Sequence, residues 1–370
     1  MPLAWVEINK ANLVHNLQQY KNIIPHAQIW PVIKSNAYGH GLASVLSILE
    51  KEKNAAGFML ANLDEALAVR VLSKKPLMVL SYFDPEESQL LKIVDQNISL
   101  TVYDLATADY LNDLGAKLNT KFQINIKVDT GTSRLGFRVE EAADVVRQIQ
   151  HKPNLEIFSI FSHFAESEAE DQTFSRGQLA QLNQIKKQFP DILFHIACSA
   201  AAISVPDSQL DIVRLGLSLY GLWPSEPSRQ RGEKLGLDLH TVLSWCTKIV
   251  QIKKIKSGES IGYNRTHIFE HDGQLAVLPV GYNEGYPRAL SNKSEVLIKG
   301  KRCPVRGNIC MNLTMVEIPQ GLEVKVGDRA TLIGIDDAEK ISAEYLAGQA
   351  QSINYEIVTR INTDIPRIII

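Results

Sequence analysis

The chain has 370 residues, of which 45% are hydrophobic and 22% are charged, a composition that is ordinary for a folded globular protein. Its 39 lysines and arginines nearly balance 41 aspartates and glutamates, which gives a formal net charge of -2. No polybasic run is present that could neutralise a row of phosphates, so we expect no nucleic acid partner. The length exceeds that of an ordinary single domain and favours one large domain with a smaller one.

Neither end of the chain carries a targeting or membrane signal. The first residues lack the charged and apolar segments of a signal peptide, and no apolar run approaches the roughly 20 residues that span a bilayer. We therefore expect a cytoplasmic protein without a membrane partner. The cysteines Cys198, Cys246, Cys303 and Cys310 are widely spaced. Because close pairs are lacking, we expect structural thiols and no metal site.

Between about residues 11 and 220, short apolar runs alternate with segments of helical period, which is typical of βα units around a parallel sheet. Eight of these runs are predicted strands: WPVI, GFML, LMVL, ISLTV, FQINIKV, EIFSIF, LFHIA and LDIVRL. Segments such as NLDEALAVRVLSK open with residues that suit a helix N-terminus. The pattern predicts an α/β fold, a (β/α)8 TIM-like barrel.

The C-terminal third has a different periodicity of hydrophobic residues. Helical period is replaced by short alternating runs: TKIVQIKKI, QLAVLPV, SEVLIKG, KRCPVRG, TMVEI and RATLIG. They predict a smaller, mostly β domain, separated from the barrel by the Pro-, Ser-, Gly- and charge-rich stretch 223–236. We predict an N-terminal strand in 1–9 that joins the C-terminal domain, a barrel in 10–232 and a β domain in 233–370.

In a barrel of this kind the active site lies at the C-terminal ends of the strands, so the polar residues that follow each strand are the candidates. These are Lys34, Asn36, Tyr38 and His40 after the first strand, Lys127, Asp129 and Arg134 after the fifth, His163 after the sixth, Ser199 after the seventh and Arg214 on the eighth. The loops after the last two strands usually hold phosphate in this fold. Ser199, Gly216 and Leu217 are therefore phosphate candidates.

A lysine at a strand end opposite a phosphate site is the arrangement that a pyridoxal phosphate Schiff base requires. Lys34 occupies that position. By itself it could equally be a solvated lysine that ends its strand, with NAYGHG as a simple turn. The convergence of polar residues from several strands on one face favours the functional interpretation.

Nine segments follow one another in order across nearly the whole chain: VIKSNAYGHG, KVDTGTSRLGF, SHFA, VRLGLSLYG, GYNRTH, LPVGYNEGYPR, KRCPVRGNICMNLTMV, VGDRATLIG and INYEIVTRI. Together they resemble the successive signature segments of alanine racemase, a fold-type III pyridoxal-phosphate-dependent amino-acid racemase. The resemblance implies pyridoxal 5'-phosphate bound at Lys34. It also implies interconversion of L-alanine and D-alanine, with D-alanine supplied for peptidoglycan.

The same resemblance implies a homodimer with shared active sites. Tyr263, in GYNRTH, matches the catalytic tyrosine, and Met311, in ICMN, matches a substrate-contacting residue; the family takes both from the partner subunit. Lys34 would remove the α-proton of the D enantiomer and Tyr263 that of the L enantiomer. Free lysine and tyrosine side chains have pKa values of about 10, so such a site must make them better bases near neutral pH.

Other site residues are implied in the same way. Arg214 matches the arginine that bonds the pyridine nitrogen, and His163 matches the histidine between that arginine and the tyrosine. Arg134 matches the arginine near the substrate carboxylate. Lys127 matches a lysine that is carboxylated in many relatives, although an ordinary salt-bridging lysine also suits the sequence.

Three tyrosines, Tyr38, Tyr282 and Tyr355, match positions around the phosphate and the entrance. For each of them, a core aromatic with a bonded hydroxyl is the alternative.

Three residues depart from the family pattern and put strict alanine preference in doubt. Cys198 stands where Asn is usual, Asn308 where relatives often have arginine, and Asn312 where many have Asp. A racemase of broader or serine preference is therefore one alternative. A non-catalytic pyridoxal phosphate carrier is the alternative from another class, but such carriers resemble the barrel alone and lack a counterpart of residues 237–370.

Overall fold

The computed structural model describes residues 2–370, which divide into two compact units. The barrel unit comprises residues 13–35 and 46–240. The β unit comprises residues up to 12 together with 36–45 and 241–370. None of the helices in the described part of the chain is long and apolar enough to cross a membrane.

The strands in chain order are β1 (Ala4–Ile8), β2 (Gln28–Pro31), β3 (Phe58–Leu60), β4 (Leu77–Val79), β5 (Ile98–Val102), β6 (Phe122–Asp129), β7 (Phe137–Arg138), β8 (Leu155–Phe161), β9 (Leu193–His195), β10 (Ile212–Leu215), β11 (Leu243–Lys248), β12 (Gln251–Ile255), β13 (Ser260–Ile261), β14 (His267–Ile268), β15 (Gly273–Leu278), β16 (Glu295–Ile298), β17 (Lys301–Pro304), β18 (Thr314–Ile318), β19 (Arg329–Asp336), β20 (Glu339–Ile341) and β21 (Arg367–Ile369).

The helices are α1 (Lys10–Ile23), α2 (Lys34–Tyr38), α3 (Leu42–Leu49), α4 (Leu63–Arg70), α5 (Glu87–Leu90), α6 (Leu105–Leu118), α7 (Val139–Gln150), α8 (Thr173–Lys186), α9 (Ser199–Ser204), α10 (Glu226–Lys234), α11 (Ala343–Ala350) and α12 (Asn354–Thr359).

Parallel strands of the barrel unit close on themselves. One sheet has the order β3-β4-β5-β6-β8-β9, and β10 pairs with β2. Parallel bridges between Val32 and Met59, and between Cys198 and Arg214, join these two sheets at both edges. Each of the eight predicted apolar runs overlaps one of these strands, so the barrel prediction is confirmed.

Buried strands and capped helices explain why this part of the chain adopts the barrel. All five residues of β5 are buried, as expected for a parallel strand covered on both faces. The side chain of Asn62 accepts a hydrogen bond from the Glu65 amide, and that of Asp104 accepts one from the Thr107 amide. These caps satisfy amides that would otherwise lack partners at the first turns of α4 and α6.

The β unit is built on antiparallel pairing. Its main sheet has the order β17-β16-β19-β11-β1-β21, with β20 paired to β19. The N-terminal strand β1 pairs antiparallel with β11 and parallel with β21. A second sheet has the order β12-β15-β18, and a small apolar cluster lies near it, formed by Ile255, Ile261, Phe269, Leu275 and Met315. A mostly β C-terminal architecture is confirmed.

Three helices were not predicted from the sequence. Residues 226–234 form α10 inside the polar stretch, because Ser225 caps the Ser228 amide and Glu226 pairs with Arg229. The helices α11 and α12 follow the last predicted strand run, RATLIG, in the C-terminal third. Each of these two helices is too short for a clear helical pattern.

Candidate active site

Lys34 follows β2 and begins a turn of unusual hand. The next four residues, 35–38, all have φ between 52° and 54°, so α2 is a left-handed helical turn. Non-glycine residues rarely adopt this conformation in succession, because each costs about 1–2 kcal/mol. Such strain persists only where surrounding contacts fix it and is concentrated at functional sites.

Hydrogen bonds on both sides hold this turn. In the barrel unit, the Ser35 amide donates to Glu65 Oε1 at 2.7 Å, while Glu65 Oε2 accepts from the Ala61 amide at 2.8 Å. In the β unit, Asn36 Oδ1 accepts from the Leu42 amide at 2.7 Å. The sequence suggests a turn here, and the structure has one, but it is left-handed and held by hydrogen bonds.

Within the β unit the turn packs closely against the main chain at Val358, which is possible because residue 39 is glycine. A Cβ at this position would lie 1.9 Å from the carbonyl oxygen of Val358, and its φ is +79°. The neighbouring His40 is buried and its Nδ1 lies 2.9 Å from the main-chain oxygen of Tyr38. Burial lowers the pKa of His40 to about 4, so the ring is neutral and has a structural role.

Within the barrel unit, the Lys34 amine lies in a cationic environment. Burial lowers its pKa, and the charges of Arg134 and Arg214 lower it further, while Glu65 opposes them. An amine with a lowered pKa is unprotonated for more of the time and is therefore a better nucleophile and base. This distinguishes Lys34 from a solvated lysine at the end of a strand.

Arg214 is the most highly bonded side chain of this region. Its guanidinium donates to His195 Nδ1 at 2.6 Å, to His163 Nδ1 at 2.9 Å, and to the main-chain oxygens of Ser162 and Ile196 at 2.9 and 2.7 Å. The residue is only 5% exposed. A buried guanidinium with so many acceptors has a fixed position and a fixed orientation.

The bonds from Arg214 decide the proton positions on both histidines. A guanidinium has no acceptor, so the Nδ1 atoms of His163 and His195 must accept and their protons must be on Nε2. Burial lowers the pKa of each ring well below the usual value, and the charge of Arg214 lowers it further. Both imidazoles are therefore neutral, with Nε2–H as a donor.

The Nε2–H donor of His195 contacts a polar side chain of a neighbouring barrel strand. It lies 3.1 Å from Ser159 Oγ, and Ser159 Oγ donates to Asn125 Oδ1 at 2.7 Å. The ring also stacks on Phe161 at 4.9 Å. We did not predict His195 as a site residue; its place in LFHIA, a polar residue in a buried strand, was the signal available.

Lys127 is buried beside two cations. Its side chain is 4% exposed, and Nζ lies 4.4 Å from the centre of the Phe161 ring. Burial lowers its pKa well below the usual value, and the charges of Arg214 and Arg134 act in the same direction. Burial thus makes the charged form of the Lys127 amine less stable than it is in water, while Asp129 opposes this effect.

The loop that carries Arg134 is shaped by Asp129. One carboxylate oxygen, Oδ1, accepts hydrogen bonds from the amides of 131, 132 and 133 at 2.9, 2.8 and 3.2 Å. Although burial opposes them, these donors lower the pKa of Asp129. The aspartate therefore stays ionised and bonded to its own loop, and its charge opposes that of the arginines at Lys127 without reversing the lowered pKa.

The predicted phosphate residues lie together in the barrel unit. The Gly216 amide donates to Ser199 Oγ at 2.9 Å, and Ser199 is 4% exposed. Leu217 begins the following short 3-10 turn, 217–220. In this arrangement the Gly216 amide already has an acceptor. Cys198 precedes the group, with its Sγ 3.3 Å from Ser167 Oγ.

The remaining predicted residues lie in the β unit and form two groups. In the first, the rings of Tyr38 and Tyr355 are 6.2 Å apart. In the second, Tyr263 is 72% exposed and its main-chain oxygen accepts from Asn308 Nδ2 at 3.0 Å. Met311 is 56% exposed.

Hydrogen bonds fix the segment around Met311 and Tyr282. The Tyr282 amide donates to the Cys310 oxygen at 3.1 Å, and the Asn283 amide donates to the Met311 oxygen at 2.9 Å. The side chain of Asn312 donates to Glu284 at 2.7 Å. Tyr282 is 43% exposed, so it is not a core aromatic within this subunit.

Comparison with known proteins agrees with this arrangement. The family model for the alanine racemase N-terminal domain matches residues 8–224, and that for the C-terminal domain matches residues 242–369. An alanine racemase from Halothermothrix orenii is 37% identical over 373 residues, covering 98% of this chain and 96% of the relative.

Two solved structures have the same architecture over the whole chain. An alanine racemase from Clostridium difficile 630 aligns with a TM-score of 0.93 and 30% identity, covering 100% of this chain and 96% of the other. A histidine racemase from Leuconostoc mesenteroides subsp. sake aligns with a TM-score of 0.89 and 28% identity, covering 100% and 98%. Because both family models and a full-length relative match, the chain belongs to the alanine racemase family.

Proposed function

We propose that Lys34 and Tyr263 of the partner subunit are the two bases of the family's reaction, the interconversion of L-alanine and D-alanine. The single observation that carries this proposal is the place of Lys34 directly after β2, where burial and the charges of Arg134 and Arg214 lower the pKa of its amine. The reaction depends on pyridoxal 5'-phosphate and supplies D-alanine for peptidoglycan in this family. Two bases on opposite faces of the α-carbon are what inversion of its configuration requires.

The residues present suit pyridoxal 5'-phosphate. Lys34 offers the amine for covalent attachment, and the positive charges of Arg134 and Arg214 suit an anionic cofactor and an amino-acid carboxylate. Phosphate-binding residues would be Ser199, Gly216 and Leu217, with Tyr38 and Tyr355. When bound, the cofactor withdraws electrons from the substrate and acidifies its α-hydrogen.

Arg214 would hold the pyridine nitrogen, and its chemistry limits what the cofactor can do. A guanidinium does not release its proton readily, so the nitrogen it contacts stays largely unprotonated. An unprotonated ring withdraws electrons less strongly, which suppresses side reactions such as transamination. His195 and two main-chain oxygens fix the guanidinium from the other side, so it cannot turn away.

His163 would connect Arg214 to the catalytic tyrosine. Its Nδ1 accepts from Arg214, which leaves Nε2–H to donate. Donation to the oxygen of Tyr263 of the partner subunit would stabilise the phenolate and make it a better base. The histidine then acts by positioning and polarising rather than by taking up the substrate proton.

The exposure of Tyr263 supports a homodimer with shared sites. A catalytic base that is 72% exposed on its own subunit lacks the desolvated surroundings that proton abstraction needs. Met311, Tyr282, Leu313 and Ile268 are also exposed apolar residues of the β unit. We propose that these four residues and Tyr263 face the partner's barrel. We also propose that the functional division of the chain is 1–9, 10–232 and 233–370.

Two of the residues that depart from the family pattern hold loops in place. Asn308 bonds the main chain of Tyr263, and Asn312 bonds Glu284. The corridor that they line is neutral at these positions, which weakens its attraction for anionic substrates. The bases are unaffected, so alanine remains the substrate in our proposal and the departures modulate its entry.

Arg134 would bind the substrate carboxylate, and Lys127 would hold Arg134 once it is carboxylated. The neutral amine of Lys127 can attack carbon dioxide: an N–C bond forms, one C=O bond of carbon dioxide opens to a carboxylate, and the nitrogen releases a proton to solvent, so a buried neutral amine becomes an anion. That anion would pair with the neighbouring arginines. An unmodified lysine offers them no acceptor.

We expect Lys34 to react faster than an exposed lysine in cofactor-free protein. Burial and two arginines lower the pKa of Lys34, whereas the bond to Asp272 raises the pKa of Lys256. Limited reductive methylation followed by peptide mass spectrometry gives the two rates. Pyridoxal phosphate should protect Lys34 and leave Lys256 unaffected; preferential modification of Lys256 would contradict the assignment.

Replacing Tyr263 by Phe should make α-hydrogen exchange asymmetric. In heavy water, exchange from L-alanine should slow by about 100-fold or more, the usual contribution of a general base, while exchange from D-alanine, which needs only Lys34, changes little. Tyr110→Phe, an exposed tyrosine of the barrel unit, is the control. Equal slowing from both enantiomers would remove the two-base assignment.

Mixing two inactive variants tests the shared site. Subunits of Lys34→Ala and Tyr263→Phe, unfolded together and refolded in equal amounts, should recover about a quarter of wild-type activity, because half the dimers carry one intact site of two. Each variant refolded alone stays inactive. A mixture without activity would show that both bases act within one subunit, provided that refolded wild type is active.

Carboxylation of Lys127 should be visible directly. Protein equilibrated with 13C-bicarbonate should give one carbamate carbon signal by NMR, and Lys127→Arg should lack it because a guanidinium does not react with carbon dioxide. Lys256→Arg is the matched control and should retain the signal. Wild type without this signal would refute the modification.

A further inference from the structure

Two histidines and an aspartate come together on the barrel unit, away from the residues assigned to catalysis. His15 lies on α1, and Asp238 and His240 follow α10. The Nε2 atom of His15 is 2.8 Å from the main-chain oxygen of Asp238, and the Nε2 atom of His240 is 2.9 Å from Asp238 Oδ2. One ligand atom of each residue lies within 4.8 Å of the other two.

The two imidazoles are arranged in parallel. Their ring centres are 4.1 Å apart and their planes differ by 11°. Both rings present the same nitrogen, Nε2, to one aspartate. An ion lies in the plane of each imidazole that binds it, so the rings must turn out of this stack for one ion to replace the two N–H protons and contact both nitrogens and the carboxylate.

The main chain of this segment is fixed by α1. Asn16 is fully buried, donates from Nδ2 to the His240 oxygen at 2.8 Å and accepts the His240 amide on Oδ1 at 2.8 Å. The Asp238 amide donates to Gln19 Oε1 at 3.3 Å. The three ligand residues therefore occupy set positions before any ion binds, which lowers the entropic cost of binding.

The donor set determines the chemical class of the ion. Two imidazole nitrogens and one carboxylate oxygen suit zinc and similar transition metals, whereas magnesium and calcium prefer oxygen ligands. The 2.9 Å separation between His240 Nε2 and Asp238 Oδ2 is close to the roughly 3.3 Å between two ligands of tetrahedral zinc. The side chains of His240 and Asp238 are 44% and 76% exposed, so water can complete the coordination.

We propose that His15, Asp238 and His240 form a binding site for a divalent transition-metal ion such as Zn2+. The site cannot be recognised from the sequence, because His15 lies more than 220 residues from Asp238 and His240. A bound ion bridges α1 to the segment 238–240. It therefore stabilises the folded chain as the metal concentration rises.

The test uses cofactor-loaded enzyme that has been treated with a chelator and then freed of it. Zinc is titrated in competition with a chromophoric chelator, and Co2+ replaces zinc for absorption spectroscopy. Wild type should bind one ion per chain at this site, raise its thermal midpoint with zinc, and give a Co2+ spectrum of imidazole and oxygen ligation. Mg2+ should not compete.

Three variants remove one ligand each: His15→Ala, Asp238→Asn and His240→Ala. Each should weaken zinc binding by at least about tenfold, since even the outer partners of metal ligands contribute that much. His26→Ala, which removes an exposed histidine elsewhere on the unit, should bind as wild type does. His240→Gln serves if an alanine variant fails to fold.

Two results would overturn the site. One is zinc affinity that is equal in wild type and in the ligand variants, which would assign the binding to other residues. The other is wild type without zinc affinity or a Co2+ spectrum, which would reduce the cluster to an ion pair beside a stacked ring.

Discussion

The buried guanidinium of Arg214 is the constraint on which the barrel site depends. Because it can only donate, it makes acceptors of His163 and His195 and fixes a proton on the far nitrogen of each ring. After burial, the same charge also lowers the pKa of Lys34 and of Lys127. One side chain thus acts on four others, and a lysine in its place, with a compact charge and fewer donors, could not fix both histidines.

A concentration of cations with little neutralisation is costly in a free protein. The carboxylate of Asp129 accepts hydrogen bonds from the amides of its own loop, and that of Glu65 accepts from two other amides. The free-energy cost of holding these cations close together is offset when anionic groups bind in the site. We infer that the site is built for an anionic cofactor and substrate, with the carbamate of Lys127 as a built-in third anion.

Sequence patterns were sufficient for the barrel, and they predicted that strand-end residues such as Lys34, Lys127 and Arg214 come close together, since the strand ends of a closed parallel sheet converge. Sequence patterns were insufficient wherever the local sequence has neither a clear periodicity nor a motif. His195 lies within an apolar strand run, so only the three-dimensional network reveals its role. The left-handed turn after Lys34 contains three non-glycine residues without special propensity for it, and α10 is polar throughout. Residues that act across long sequence separations, such as His15 and His240, have no local signature.

The turn from Ser35 to Tyr38 also limits how this chain can diverge. Four successive left-handed residues exclude β-branched side chains, which cannot adopt that conformation without severe strain, and Gly39 excludes any side chain because the backbone of Val358 occupies its space. These five adjacent positions therefore tolerate only some residue types, and the reason is the backbone conformation alone. Mutational drift near the catalytic lysine is restricted even at residues that never touch a substrate.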